Sequence, residues 1–219
     1  YEHYADFGRA TVKDVFTPEE MKGVQKLTAN FMKSVWIENL GGGKFTMHDL
    51  PNEAQLAPIY GVQCLDVNQD GNNDIVMIGN DYGMETGQGR ADAFNGLVLL
   101  NNGKKNFKPL SFEQSGFFVP GDARAISSIM IKDQTYLVST ENRKPISLFT
   151  SYQKTNKVDQ LRKDEAYAMI ELPGNNKQKI EFSWGSSFLS QSSRKWQVPA
   201  NNTIKVFNQK GNITRTIEP

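Results

Sequence analysis

Nine consecutive residues gather side-chain oxygens at a spacing suited to metal chemistry: Asp66-Val67-Asn68-Gln69-Asp70-Gly71-Asn72-Asn73-Asp74. Asp66, Asn68 and Asp70 alternate, Gly71 follows, and Asp74 closes the run. A hard dication takes about six to eight oxygen ligands at roughly 2.3–2.6 Å, and a glycine lets the chain fold back around it. Three carboxylates this close repel one another unless a positive charge sits between them. Calcium is the economical reading. A metal-free turn is the alternative, because Asp, Asn and Gly favour turns on their own account. An EF-hand shares the first half of the spacing but ends in a bidentate Glu, where this chain has Met77.

The flanks decide what holds such a loop. Gly61-Val62-Gln63-Cys64-Leu65 precedes it and Ile75-Val76-Met77-Ile78-Gly79 follows. Both are short apolar runs rich in β-branched residues, so strands are predicted on either side rather than the helices of an EF-hand. Other chemistry finds little material. The chain has two histidines, His3 near one end and His48 in a predicted hairpin. Serines crowd residues 183–193 without a nucleophile-elbow motif and read as turn formers. No catalytic residue is assigned.

Net charge is +1, with basic and acidic residues interspersed. That gives no electrostatic footprint for nucleic acid or an anionic membrane. The single cysteine, Cys64, excludes an internal disulfide and is expected to be a buried, inert thiol. No apolar run approaches the roughly 20 residues of a membrane-spanning helix. The chain begins at Tyr1 without Met, which reads as a mature or trimmed piece of a longer protein.

Residues 1–30 form a helical or inserted segment, in which the capping box Thr17-Pro18-Glu19-Glu20 predicts a short helix running towards Leu27. From Phe31 the pattern turns to strands. Residues 35–40 and 44–48 flank Gly41-Gly42-Gly43, a hairpin signature. Leu97-Val98-Leu99-Leu100-Asn101-Asn102-Gly103 leading to Phe107 repeats that arrangement. One complete unit of four strands is predicted at 61–66, 74–79, 96–101 and 106–111, inside a β region covering 31–150. A further unit spans 125–149, with its tight turn at Asp133-Gln134. The 80–95 connection is long for a hairpin loop and is therefore a candidate binding surface, with Tyr82, Arg90, Asp92 and Phe94 as its contact residues. Residues 151–163 read as a solvated linker, and 165–219 as a small β module.

Four-stranded units with an Asp-rich loop after the first strand and a later Asn-Gly-Lys-x-Phe hairpin resemble FG-GAP, or VCBS, repeats, which are β-propeller blades. The family loop reads D-x-D-x-D-G-x-x-D, and Asn68 stands at its second position here. The resemblance implies side-chain ligation of Ca2+ by Asp66, Asn68, Asp70 and Asp74 and a backbone carbonyl from Asn72. The stretch Gly185-Ser186-Ser187-Phe188-Leu189-Ser190-Gln191 resembles the ASPIC/UnbV module that follows such propellers in cartilage acidic protein-like proteins and Bacteroidetes surface lipoproteins. The implied fold is all-β: a partial propeller whose remaining blades belong to the same polypeptide. The implied function is a non-catalytic, calcium-stabilised binding module, extracellular or on the outer-membrane surface and possibly lipid-anchored, recognising a glycan or protein ligand. A purely structural role, and a polysaccharide-active enzyme whose site lies in other blades, stand as alternatives.

Overall fold

The computed structural model describes residues 2–132, 134–150, 158–172, 176–199 and 202–219. Two compact units divide the chain, Tyr1–Lys33 and Ser34–Pro219.

The first unit holds two short helices, α1 (Tyr4–Arg9) and α2 (Val12–Val15), neither with a buried residue. The helix predicted from Thr17 to Leu27 does not form. Its capping box is made, with the Thr17 N–H donating to Glu20 Oε2 at 2.8 Å. Residues 18–23 nevertheless form only turns, ending at Gly23 with φ of 81°. A cap satisfies loose N–H groups, but a short helix also needs an apolar face to bury. Met21, Val24 and Leu27 all stay exposed.

Among the described residues the second unit is all-β, built from antiparallel sheets with one short α-helix and a 3-10 turn at Asn52–Gln55. β1 (Val35–Gly41) and β2 (Lys44–Asp49) form a hairpin. A four-stranded sheet follows in simple order: β3 (Ile59–Leu65), β4 (Asp74–Gly79), β5 (Leu97–Asn101) and β6 (Phe107–Leu110). After the one-turn helix α3 (Phe112–Ser115), a three-stranded sheet contains β7 (Ala123–Ile131), β8 (Gln134–Glu141) and β9 (Ser147–Thr150). The predicted turn at Asp133 lies outside the described residues. Among those described, the sheets close into no barrel or ring.

The four-stranded sheet is buried on both faces, which explains its nearly continuous apolar strands. Side chains alternate along a strand. Met77, Leu97 and Leu99 therefore pack on one side with Trp36 of the hairpin, Leu50 and Ala54 just after it, and Phe94 of the 80–95 connection. Val76, Ile78 and Val98 pack on the other with Ala123, Ile126, Leu137 and Phe149 of the three-stranded sheet. Trp36 meets Phe107 edge-on at 5.9 Å, and its other partner is the stacked His48 ring at 4.3 Å. His48 Nε2 lies 3.1 Å from Glu38 Oε2. Gly61 lets β3 and β7 approach closely: a Cβ there would stand 2.6 Å from Ile78 and 2.8 Å from Ile126. Neighbouring Cys64 is exposed rather than buried. Desolvation around its sulfur still pushes the thiol pKa up, which disfavours the reactive thiolate.

The C-terminal strands are β10 (Val158–Gln160), β11 (Glu165–Leu172), β12 (Asn176–Glu181), β13 (Lys195–Gln197), β14 (Ile204–Asn208) and β15 (Ile213–Ile217). Four of them form a sheet in the order β12-β11-β14-β15, and β10 pairs with β13. The described end of the expected linker is thus structured, and Leu161 joins the core of Ile170, Phe182, Trp196 and Ile204. The serine-rich stretch ties this module to both central sheets. Val62 N–H donates to Ser187 Oγ at 2.8 Å, and Ser128 N–H donates to Ser192 Oγ at 3.0 Å. Ser192 Oγ also donates to Gln63 Oε1 at 3.2 Å. Edge-strand N–H groups on β3 and β7 are thereby satisfied without a further strand.

One carboxylate in this module is fully buried and ion-paired to a partly exposed arginine. Arg215 Nε and Nη2 donate to Glu165 at 2.7 and 3.1 Å, and the Glu165 side chain has no exposed surface. Burial raises the Glu165 pKa, but the bonds from Arg215 and from the Arg162 N–H outweigh it and hold the carboxyl below its usual 4.5. A depressed folded-state pKa contributes stability above the unfolded value and loses it as pH falls through the folded one. Unfolding in urea, followed by tryptophan emission, should therefore show stability dropping below pH 4.5. Arg215→Met, which strands a buried carboxylate, should cost about 3–5 kcal/mol at neutral pH.

Candidate functional site

β4 carries a loop at each end. The Asp66–Asp74 loop enters it and the 80–95 connection leaves it. Six strand residues at roughly 3.3 Å each hold the two loops roughly 17–20 Å apart.

At the entry, Asp74 is fully buried and its two oxygens face different segments. Oδ2 accepts from the Val67 N–H at 2.9 Å, and Oδ1 accepts from the Asn101 N–H at 2.8 Å. Asn101 Nδ2 donates back to the Asn73 carbonyl at 3.1 Å. The acidic loop and the β5–β6 hairpin are thus joined through one carboxylate. The turn also sits against the loop: Gly103 has φ of 70°, and a Cβ there would stand 3.0 Å from Asn72 Oδ1.

The remaining acids are turned on to their own loop. Asp66 accepts from the Asp70 and Gly71 N–H groups at 3.2 and 2.9 Å. Asp70 Oδ1 accepts from the Asn72 N–H at 2.8 Å, and Asn68 Oδ1 from the Asp70 N–H at 3.1 Å. Among the described residues, no three His, Cys, Asp or Glu side chains are gathered tightly enough to hold a metal ion. The donor chemistry nevertheless suits a hard cation. Burial raises the Asp74 pKa, the N–H bonds from Asn101 and Val67 offset part of it, and the charges of Asp70 and Asp66 raise it further. Asp70 itself is held low, first by the Asn72 N–H and then by the Asn68 amide. Asn68 and Asp70 are exposed and Asp66 and Asn72 half-buried, so their oxygens can turn without disturbing the core.

At the exit, Asn80 is the organising residue. It is fully buried with φ of 84°. Its Nδ2 donates to the carbonyls of Phe94, Pro120 and Gly121 at 2.6, 3.1 and 3.0 Å, and its Oδ1 accepts from the Phe94 N–H at 3.0 Å. One side chain therefore closes the 80–95 loop and fastens it to the segment before β7. Phe94 follows as a consequence. The structure corrects its expected place on a binding surface, because the ring is 2 % exposed and packed with Leu97, Leu99 and Met77. Tyr82, Arg90 and Asp92 do lie at the surface, with the Arg90 guanidinium 4.7 Å from the Tyr82 ring centre.

Sequence reasoning did not single out the polar group beneath them. Tyr60 Oη donates to Asp81 Oδ2 at 2.9 Å, and Arg124 Nη2 bridges Asp81 and Asp122 at 3.1 and 2.9 Å. The Arg124 guanidinium also lies 4.1 Å from the Tyr60 ring centre. Asp81 is held low, first by the Gly83 N–H and then by Tyr60 and Arg124. The one available signal was local, an acid and an arginine two residues apart after the Pro120-Gly121 turn.

Asn80→Ala should loosen this end of the molecule. Each buried group left unpaired costs about 1–3 kcal/mol, so chemical denaturation should show a loss of at least about 2 kcal/mol. Hydrogen exchange at the Phe94 amide should accelerate in the same variant. Family models, curated proteins and solved structures were each compared with the chain, and none matches it.

Proposed function

We propose that this chain is a non-catalytic, calcium-stabilised binding module, part of a larger β-propeller exported to the cell surface. The observation that carries the reading is the buried Asp74, which joins an oxygen-rich loop to the neighbouring hairpin at the point where its own charge is least tolerated. Asp66, Asn68, Asp70 and Asp74, with the Asn72 carbonyl, would hold Ca2+. The ion would supply charge neutralisation and cross-linking rather than reaction chemistry.

The layered packing supports the propeller. A four-stranded antiparallel sheet lies between a hairpin and a three-stranded antiparallel sheet, as blades pack face to face. Apolar residues also remain bare on the outer faces: Ile37, Phe45 and Met47 on the hairpin, Ile131 and Leu148 on the three-stranded sheet. Exposed apolar patches of this kind favour burial against further structure, here the remaining blades of the polypeptide. The ligand, a glycan or protein, would meet the 81–94 loop at Tyr82, Arg90 and Asp92. Together they offer an aromatic face, a cation and a carboxylate for recognising a polar partner.

The test is binding by the intact chain on a glycan array and in pull-downs from cell-surface extracts. Binding that weakens at least about tenfold in a Tyr82→Ala/Arg90→Ala/Asp92→Ala variant of unchanged melting temperature supports the reading. No binding in either format, or undiminished binding by the variant, contradicts it.

A further inference from the structure

Within the C-terminal module, a cleft of about 390 Å³ is lined by Trp184 together with Asp164, Asn208, Gln209 and Lys210. Trp184 is 49 % exposed although tryptophan is the largest side chain in the module. The indole is not loose. The Arg194 guanidinium lies 4.2 Å from its ring centre. Arg194 is itself pinned by backbone carbonyls: Nη1 donates to Phe182 at 3.3 Å, and Nη2 donates to Arg162 and Glu165 at 2.9 and 2.6 Å. The ring is thus braced from one side and open where it lines the cleft.

We infer that this cleft is a sugar-binding site, with Trp184 as the stacking platform for a neutral pyranose. A rigid aromatic presents large contact area at little entropic cost. The polar rim supplies the complement. Asn208 Oδ1 is used by the Lys210 and Asn212 N–H groups, both at 3.0 Å. Among the described residues its Nδ2 has no acceptor, and the side chains of Asp164, Gln209 and Lys210 have no hydrogen-bond partner. An acceptor-only carboxylate, a donor-only ammonium and amides that do both match hydroxyl groups, which donate and accept.

The rim carries both signs, Asp164 with Lys163 and Lys210, while the Glu165 charge is taken up by Arg215. An aromatic peptide side chain would stack equally well but leave the rim groups desolvated and unpaired, at a cost. The volume falls at the lower end of the range for small-ligand sites, about 300–1,000 Å³, which suits one or two sugar rings. This site lies apart from the 81–94 loop and shares with the reading above only the class of ligand.

The test titrates the intact chain with cellohexaose, mannohexaose and maltohexaose at millimolar concentration, by calorimetry and tryptophan fluorescence. Saturable binding of at least one, weakened at least about tenfold in Trp184→Ala and kept in Tyr82→Ala/Arg90→Ala, is the expected result. Asp164→Ala/Gln209→Ala, both exposed positions, serves as the second variant should Trp184→Ala fail to fold, and it too should weaken binding. No saturable binding of any of the three sugars overturns the inference, as does full affinity in either cleft variant. Binding lost only in the Tyr82/Arg90 variant overturns it while leaving the loop reading standing.

Discussion

A carboxylate at the first residue of a central strand sets much of this structure. Asp74 is buried because β4 lies between two packed layers. A buried carboxylate is costly unless its oxygens are satisfied. The two N–H groups that satisfy it come from Val67, in the loop before β4, and Asn101, at the end of β5. Loop closure and hairpin placement are therefore consequences of one desolvated charge. The charges of Asp70 and Asp66 raise the Asp74 pKa further, a repulsion that a bound cation would remove.

The opposite end of β4 solves a similar problem without charge. Asn80 offers an amide that donates to three carbonyls and accepts one N–H, and it takes a positive φ that asparagine tolerates better than most residues. Between these two polar clamps, alternation does the rest. Each residue of β4 faces a different layer from its neighbour, so the strand fixes both interfaces at once. The polar clamps set register, and the apolar faces supply the burial.

Much of this was legible in the sequence, and the exceptions have physical causes. The runs Ile75–Ile78 and Leu97–Leu100 announced strands because burial on both faces demands continuous apolar residues. The glycine turns announced hairpins because only glycine adopts their positive φ freely. The helix from Thr17 failed because a capping box is local while helix stability depends on burial elsewhere. Phe94 looked like a loop aromatic because its burial depends on Asn80, 14 residues away. Ser187 and Ser192 looked like turn formers, and their bonds to Val62 and Ser128 reach across 125 and 64 residues. Val158–Gln160 is too short to show a period and is held as a strand by β13. Long-range polar partners leave no periodic trace.

Whether the acidic loop is a cation clip is decided by melting the intact chain in millimolar calcium and again in EDTA. Ligand binding to the folded state alone stabilises by RT ln(1 + [L]/Kd), about 2.7 kcal/mol at a hundredfold excess over Kd. The melting temperature should rise clearly with calcium, and Asp70→Ala should abolish that rise. Identical melting in calcium and EDTA, or an equal rise in the Asp70→Ala variant, would contradict a cation clip.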